Sequence, residues 1–101
     1  MDDVLMARPQ LHPEMGLERV AGRLMAAGAT DVLHLFEDES GERSEVAERI
    51  VELSDGRRTV SGIVDVLCEE FDVTREVCEP DAIAFIASLV NLEVLTWAPG
   101  A

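Results

Sequence analysis

The side chains in this sequence with reactive potential are two cysteines, two histidines and a large surplus of carboxylates. Cys68 would need its thiolate form to act as a nucleophile, and its neighbours Glu69 and Glu70 offer no cationic group to favour that form, so no nucleophilic role is expected. His12 and His34 belong to no HExxH or HxxxH spacing, so no zinc site is expected. His34 alternates with Leu33 and Leu35, which predicts that it points from a strand face into solvent. Glu37-Asp38-Glu39 followed by Gly41-Glu42 lacks the ligand spacing of a calcium loop and reads as a solvated acidic loop. Neither GxGxxG nor GxxxxGK[ST] occurs, which removes the usual phosphate cradles. Leu53-Ser54-Asp55 reverses the Asp-Ser-Leu order that a phosphopantetheine carrier requires. No catalytic residue, no metal ligand and no cofactor is expected; the reading is a non-enzyme.

The composition points the same way. In 101 residues, 8 basic and 21 acidic side chains leave a net charge of −13. That charge disfavours nucleic acid, whose binding rests on phosphate neutralisation, and favours a neutral or basic partner. The length fits one domain, and a hydrophobic fraction of 48% is too high for a disordered acidic tail. With 4% aromatic residues and no Tyr, aliphatic side chains must do the packing. Cys68 and Cys78 are too few for a disulfide framework and form no CxxC pair, so both are expected to be reduced thiols. The acidic start is unlike a signal peptide, and no apolar run approaches the roughly 20 residues that span a bilayer. The expected location is the cytoplasm, away from membranes.

Three helices are legible. The first is predicted from Glu45 to Ser54, with Ser44 as N-cap and Val46, Ile50 and Leu53 as its stripe. The second runs from Thr59 to Phe71, where Val60, Ile63, Val64, Leu67 and Phe71 share one face and Asp55-Gly56 supplies the turn before it. The third is predicted to open at Pro80-Asp81 and to run to about Asn91, apolar nearly all round. Such a helix must be covered on more than one side, either by the domain's own sheet or by another molecule. Leu92 to Trp97 returns to extended character, and Thr30 to Phe36 reads as a strand. Residues 14–27 allow a helix, on the stripe Leu17, Val20, Ala21, Leu24 and Met25, or two short strands around Ala21-Gly22; local propensity favours the helix.

Helix–turn–helix–turn–helix order with an extended tail also suits a winged helix. A DNA reader would need basic residues on the third helix, yet residues 79–93 hold Glu79, Asp81 and Glu93 and no Arg or Lys. Residues 44–96 resemble instead the PqqD-like family, the peptide chaperones named after protein D of pyrroloquinoline quinone synthesis. The segment from Ser44 to Gly56 is similar to the family's first helix and Asp-Gly turn. Arg57-Arg58-Thr59-Val60-Ser61-Gly62-Ile63-Val64 follows its Arg-Thr-Val-x-x-Ile-Val pattern, and Glu70-Phe71-Asp72-Val73 looks like the end of its second helix. Asp81 to Leu95 is similar to its third helix and closing pair, here Val94-Leu95. Arg8-Pro9-x-Leu11-x-Pro13 resembles the lead-in of many members.

The resemblance implies an α+β, winged-helix-like single domain over residues 1–101, in which a small N-terminal antiparallel sheet of up to three strands precedes three helices. Residues 1–13 and 97–101 are expected to be loosely held ends. It further implies a recognition element for the leader segment of a ribosomally made precursor peptide, which is presented to a modifying enzyme. In the family the leader adds as a strand beside the third helix, so edge hydrogen bonds supply affinity and a groove supplies specificity. On this sequence the expected groove lies between Asp31, Val32, Leu33, His34, Leu35 and Phe36 and the helical face of Ile83, Ile86, Ala87 and Val90. The expected partners are a precursor leader peptide and a peptide-modifying enzyme, with a homodimer through the open edge as a further candidate. Three departures from the family pattern stand out. An acidic insert precedes Ser44, so the receiving strand is either 31–36 or 40–43. Glu93 stands where many members have Gly. The helix-like residues 14–27 occupy the place of the expected first hairpin, which the family pattern favours over propensity. The competing reading is an acidic winged-helix interaction or regulatory module with no peptide substrate.

Overall fold

A computed structural model describes residues 4–28, 33–37 and 41–99. A short 3-10 turn at Val4–Met6 leads into β1 (Pro9–Leu11), followed by β2 (Gly16–Val20), β3 (Arg23–Ala27) and β4 (Leu33–Leu35). Three helices follow, α1 (Glu45–Leu53), α2 (Val60–Glu70) and α3 (Arg75–Asn91), and the chain closes in β5 (Leu95–Trp97). The strands form two antiparallel sheets, β1-β5 and β2-β3-β4. The architecture is α+β, with the three-stranded sheet standing as a wing against the helices.

The helices form where period and caps agree. Ser44 Oγ accepts from Ala47 N–H at 3.1 Å, and Thr59 Oγ1 accepts from Gly62 N–H at 3.1 Å, so both N-termini are satisfied by side chains. Their stripes meet in one core: Ile50, Val51 and Leu53 from α1, Val60, Ile63, Val64 and Leu67 from α2, and Cys78, Ala82, Ile86 and Leu89 from α3. Each such aliphatic side chain contributes about 1.5–3 kcal/mol by leaving water. Between α1 and α2, Asp55 closes the turn by accepting from the N–H groups of Arg57 and Arg58 at 2.9 and 3.1 Å. Gly56 there has φ +79 and lies so close to Gln10 that a Cβ would sit 2.7 Å from its Oε1.

Two expectations are corrected and one open alternative is decided. α3 starts at Arg75, more than a turn before Pro80. Arg75 bonds Ser61 Oγ of α2 at 2.7 Å and Glu79 at 3.0 Å, and pairs with Asp65, which anchors the added turn; Pro80 forfeits one bond near a helix end that faces water. Residues 14–27 form the β2–β3 hairpin, as the family pattern and not local propensity indicates. Ala21 and Gly22 have φ 52 and 82, the two-residue turn that matches strand twist. His34 does not point into solvent: it lies opposite buried Ala26 and is half-buried, whereas Leu33 and Leu35 are 62% and 41% exposed. The register decides this, because Phe36 must enter the core and His34, two residues earlier, shares its face.

Residues 1–13 and 97–101 are expected as loosely held ends, but Pro9–Leu11 and Trp97 lie in paired strands, because each supplies the other's backbone partners. Leu95–Trp97 is extended and pairs with β1, in the register Pro9–Trp97, Gln10–Thr96 and Leu11–Leu95. Cys68 and Cys78 are free thiols, and burial, with Cys68 alongside, pushes the Cys78 thiol up. No helix among the described residues is long and apolar enough to cross a membrane.

Candidate functional site: the open edge of the wing

Strand order places β4 at the margin of the wing, and no described strand pairs with its second edge. Parity identifies the groups this edge offers. The two-residue turn makes Val20 and Arg23 a hydrogen-bonded pair. Alternation then turns the backbone groups of Leu24 and Ala26 toward β4, where Ala26 meets His34. The N–H and C=O groups of Leu33 and Leu35 therefore face the open side. Their side chains lie on the outer face of the wing with Met25 and Ala27, while Leu24, Ala26, His34 and Phe36 face the helices.

The helical wall beside this edge is α3. Phe36, 1% exposed, meets Phe85 edge-on with ring centroids 6.4 Å apart, so Phe85 marks the face of α3 turned to the wing. Asp81 and Ser88 lie about one turn either side of Phe85 and are exposed. Ser88 Oγ donates back to the Phe85 carbonyl at 2.9 Å, which leaves the rim of this wall polar with its hydroxyl satisfied.

The expected site residues divide accordingly. Leu33, His34, Leu35 and Phe36 share the wing edge; Asp31 and Val32 lie outside the described residues. Between the two candidate receiving strands, only the first contains strand: Gly41 to Arg43 hold no strand beyond an isolated bridge of Arg43 to Glu37, and Ser40 lies outside the described residues. On α3, Ile86 is fully buried beneath the wall. Ile83 and Ala87, each two residues from Phe85, lie about 160° away from it around the axis, and Val90 about 140°. Phe85 was missed because α3 is apolar on most sides, so periodicity names no single inner face; its pairing with Phe36 is a tertiary fact. Among the described residues, no group of His, Cys, Asp and Glu is placed to hold a metal ion.

Residues 29–95 match the family described as Coenzyme PQQ synthesis protein D (PqqD). The chain belongs to the PqqD family. No curated protein matches the sequence. Two solved structures share the fold. One, titled "TbiB1 in Complex with the TbiA(beta) Leader Peptide", superposes with a TM-score of 0.71 at 22% identity, covering 85% of this chain and 93% of that one. The other, "Lasso peptide synthetase B1 complexed with the leader peptide", gives 0.72 at 19% identity, covering 89% and 99%.

Proposed function

We propose that this PqqD-family domain is a non-catalytic recognition element that binds the leader segment of a ribosomally made precursor peptide and presents it to a modifying enzyme. The observation that carries the reading is the edge of β4, without a partner among the described strands, beside the Phe85 wall of α3. A guest strand there would bond the backbone groups of Leu33 and Leu35. Its alternate side chains would fall between His34 and Phe36 on one side and Asp81, Phe85 and Ser88 on the other. Both structural relatives are complexes with leader peptides, which supports the same use of this fold. The net charge of −13 favours a basic guest or a basic enzyme surface.

The test is calorimetry with the synthetic leader of a precursor peptide encoded beside the gene. Leu35→Pro removes an N–H that points to the open edge and leaves the β3–β4 ladder its bonds. It should weaken leader binding at least tenfold while the circular dichroism stays native. Equal affinity in the variant would reject strand addition at β4.

A further inference from the structure

A charged clamp adds to the buried Leu24, Ala26 and Phe36 in fastening the wing to the helical body. Arg43, just before α1, donates from Nε and Nη2 to the two carboxylate oxygens of Glu48, each at 3.0 Å. Arg19 of β2 approaches the same carboxylate with Nη1 at 3.5 Å and bonds Glu52, one turn on, at 3.0 Å. The backbone N–H of Leu24 in β3 also donates to Glu48. Glu48 itself is 2% exposed. At the same place the Phe36 carbonyl, past the end of β4, accepts from Ser44 N–H at 3.1 Å. The β3–β4 ladder ends at Met25 and Leu35, and at Leu24 and Phe36 the first turn of α1 takes one bonding group from each strand.

We propose that Glu48 is a positioning residue for the guest: by wedging α1 in where the β3–β4 ladder ends, it fixes the gap between the open edge of β4 and the Phe85 wall. The inference rests on the strand-addition reading above. A buried carboxylate is a poor source of net stability, since lost hydration offsets most of its attraction to Arg, but its directional bonds hold a geometry. Here the geometry held is that of the receiving strand. β2 is exposed along its whole length and buries little to do the same work. Arg43 holds the Glu48 carboxyl below its ordinary value against the opposing effect of burial, so the clamp is charged at neutral pH.

The experiment uses the whole chain and two readouts. With three Phe, one Trp and no Tyr, ring-to-ring NOEs are readily assigned, and the Phe36–Phe85 contact reports the gap directly. Glu48→Gln keeps the shape and loses the charge. It should abolish that NOE, shift the Leu33 and Leu35 amides and weaken binding of the synthetic leader about tenfold, with helical circular dichroism unchanged. A Phe36–Phe85 NOE at wild-type intensity overturns the proposal. Should Glu48→Gln fail to fold, Arg43→Gln loosens the same clamp from its exposed side and should weaken the NOE. If the wild-type chain binds no leader, the proposed function fails, and the NOE still decides the role of Glu48.

Discussion

The two sheets of this small domain are held in opposite ways. The β1–β5 pair joins the two ends of the chain and is bonded on nearly every side. Gly56 N–H donates to the Pro9 carbonyl at 2.9 Å, Ala98 N–H to Arg8 at 2.7 Å and His12 N–H to Val94 at 2.9 Å, and Gln10 bridges Asp55. Leu95 is fully buried beneath it. The wing instead has an edge without a described partner, an outer face carrying Leu33, Leu35 and Val20, and, besides the buried Leu24, Ala26 and Phe36, a charged tie of Arg19, Arg43 and Glu48. An unpaired edge is a hazard that proteins usually cover. Its survival beside a hydrophobic wall, in a domain that closes its other sheet so thoroughly, is what a strand-accepting site requires.

If burial holds the body and charge holds the outer strand β2 of the wing, truncations should separate them. Leu67→Ala, at a fully buried site on α2, should lower the unfolding free energy by about 3 kcal/mol in urea titration. Val20→Ala on the wing, where the side chain is 47% exposed, should change it by less than about 0.5 kcal/mol. Equal losses would mean that β2 shares the core and would erase the distinction. Acid should act in the reverse sense. The folded-state carboxyl of Glu48 is held below its ordinary value of 4.5, so its contribution is complete above that value and disappears as pH falls through the lower, folded one. Amide exchange followed from pH 7 to pH 3 should therefore show Leu24 and Ala26 losing protection before Gln10 and Thr96. Simultaneous loss in both sheets would place the charge tie on the same footing as the buried one.

The same division governed what could be read from the sequence. α1 and α2 were legible because Ser44 and Thr59 cap stripes whose spacing matches the helix period, and the outcome depends on neighbours within a turn or two. The wing was legible only in part, with Thr30 to Phe36 read as a strand, because the rest of its evidence is tertiary. Leu17 to Met25 carries helix-forming residues, and only pairing across Ala21-Gly22 and onto β4 makes it a hairpin. The orientation of His34 turns on where Phe36 is buried, which alternation alone leaves two ways round. Pro9 and Trp97 pair from opposite ends of the chain, and no local pattern announces it. The edge of the site was therefore within reach of a family resemblance, while the wall at Phe85 needed the fold.

The end of α3 permits the finest comparison, because there a single residue, Glu93, holds a backbone conformation that favours glycine. Val94 N–H bonds the Leu89 carbonyl at 2.9 Å and Glu93 N–H bonds Val90 at 3.1 Å, the paired bonds of a Schellman cap. That cap puts the residue after the helix in the left-handed region, and Glu93 is there with φ 61. A side chain in that conformation costs roughly 1–2 kcal/mol, of which glycine recovers the larger part after its own loss of chain entropy. Glu93→Gly should thus raise the unfolding free energy by about 1 kcal/mol and leave leader affinity unaltered, since the cap directs Val94 and Leu95 into the core and away from the wing. A variant no more stable than wild type would mean that the bonds around Val90 and Glu93 already relieve the strain. A gain in affinity would mean that the end of α3 and the open edge of β4 are mechanically joined.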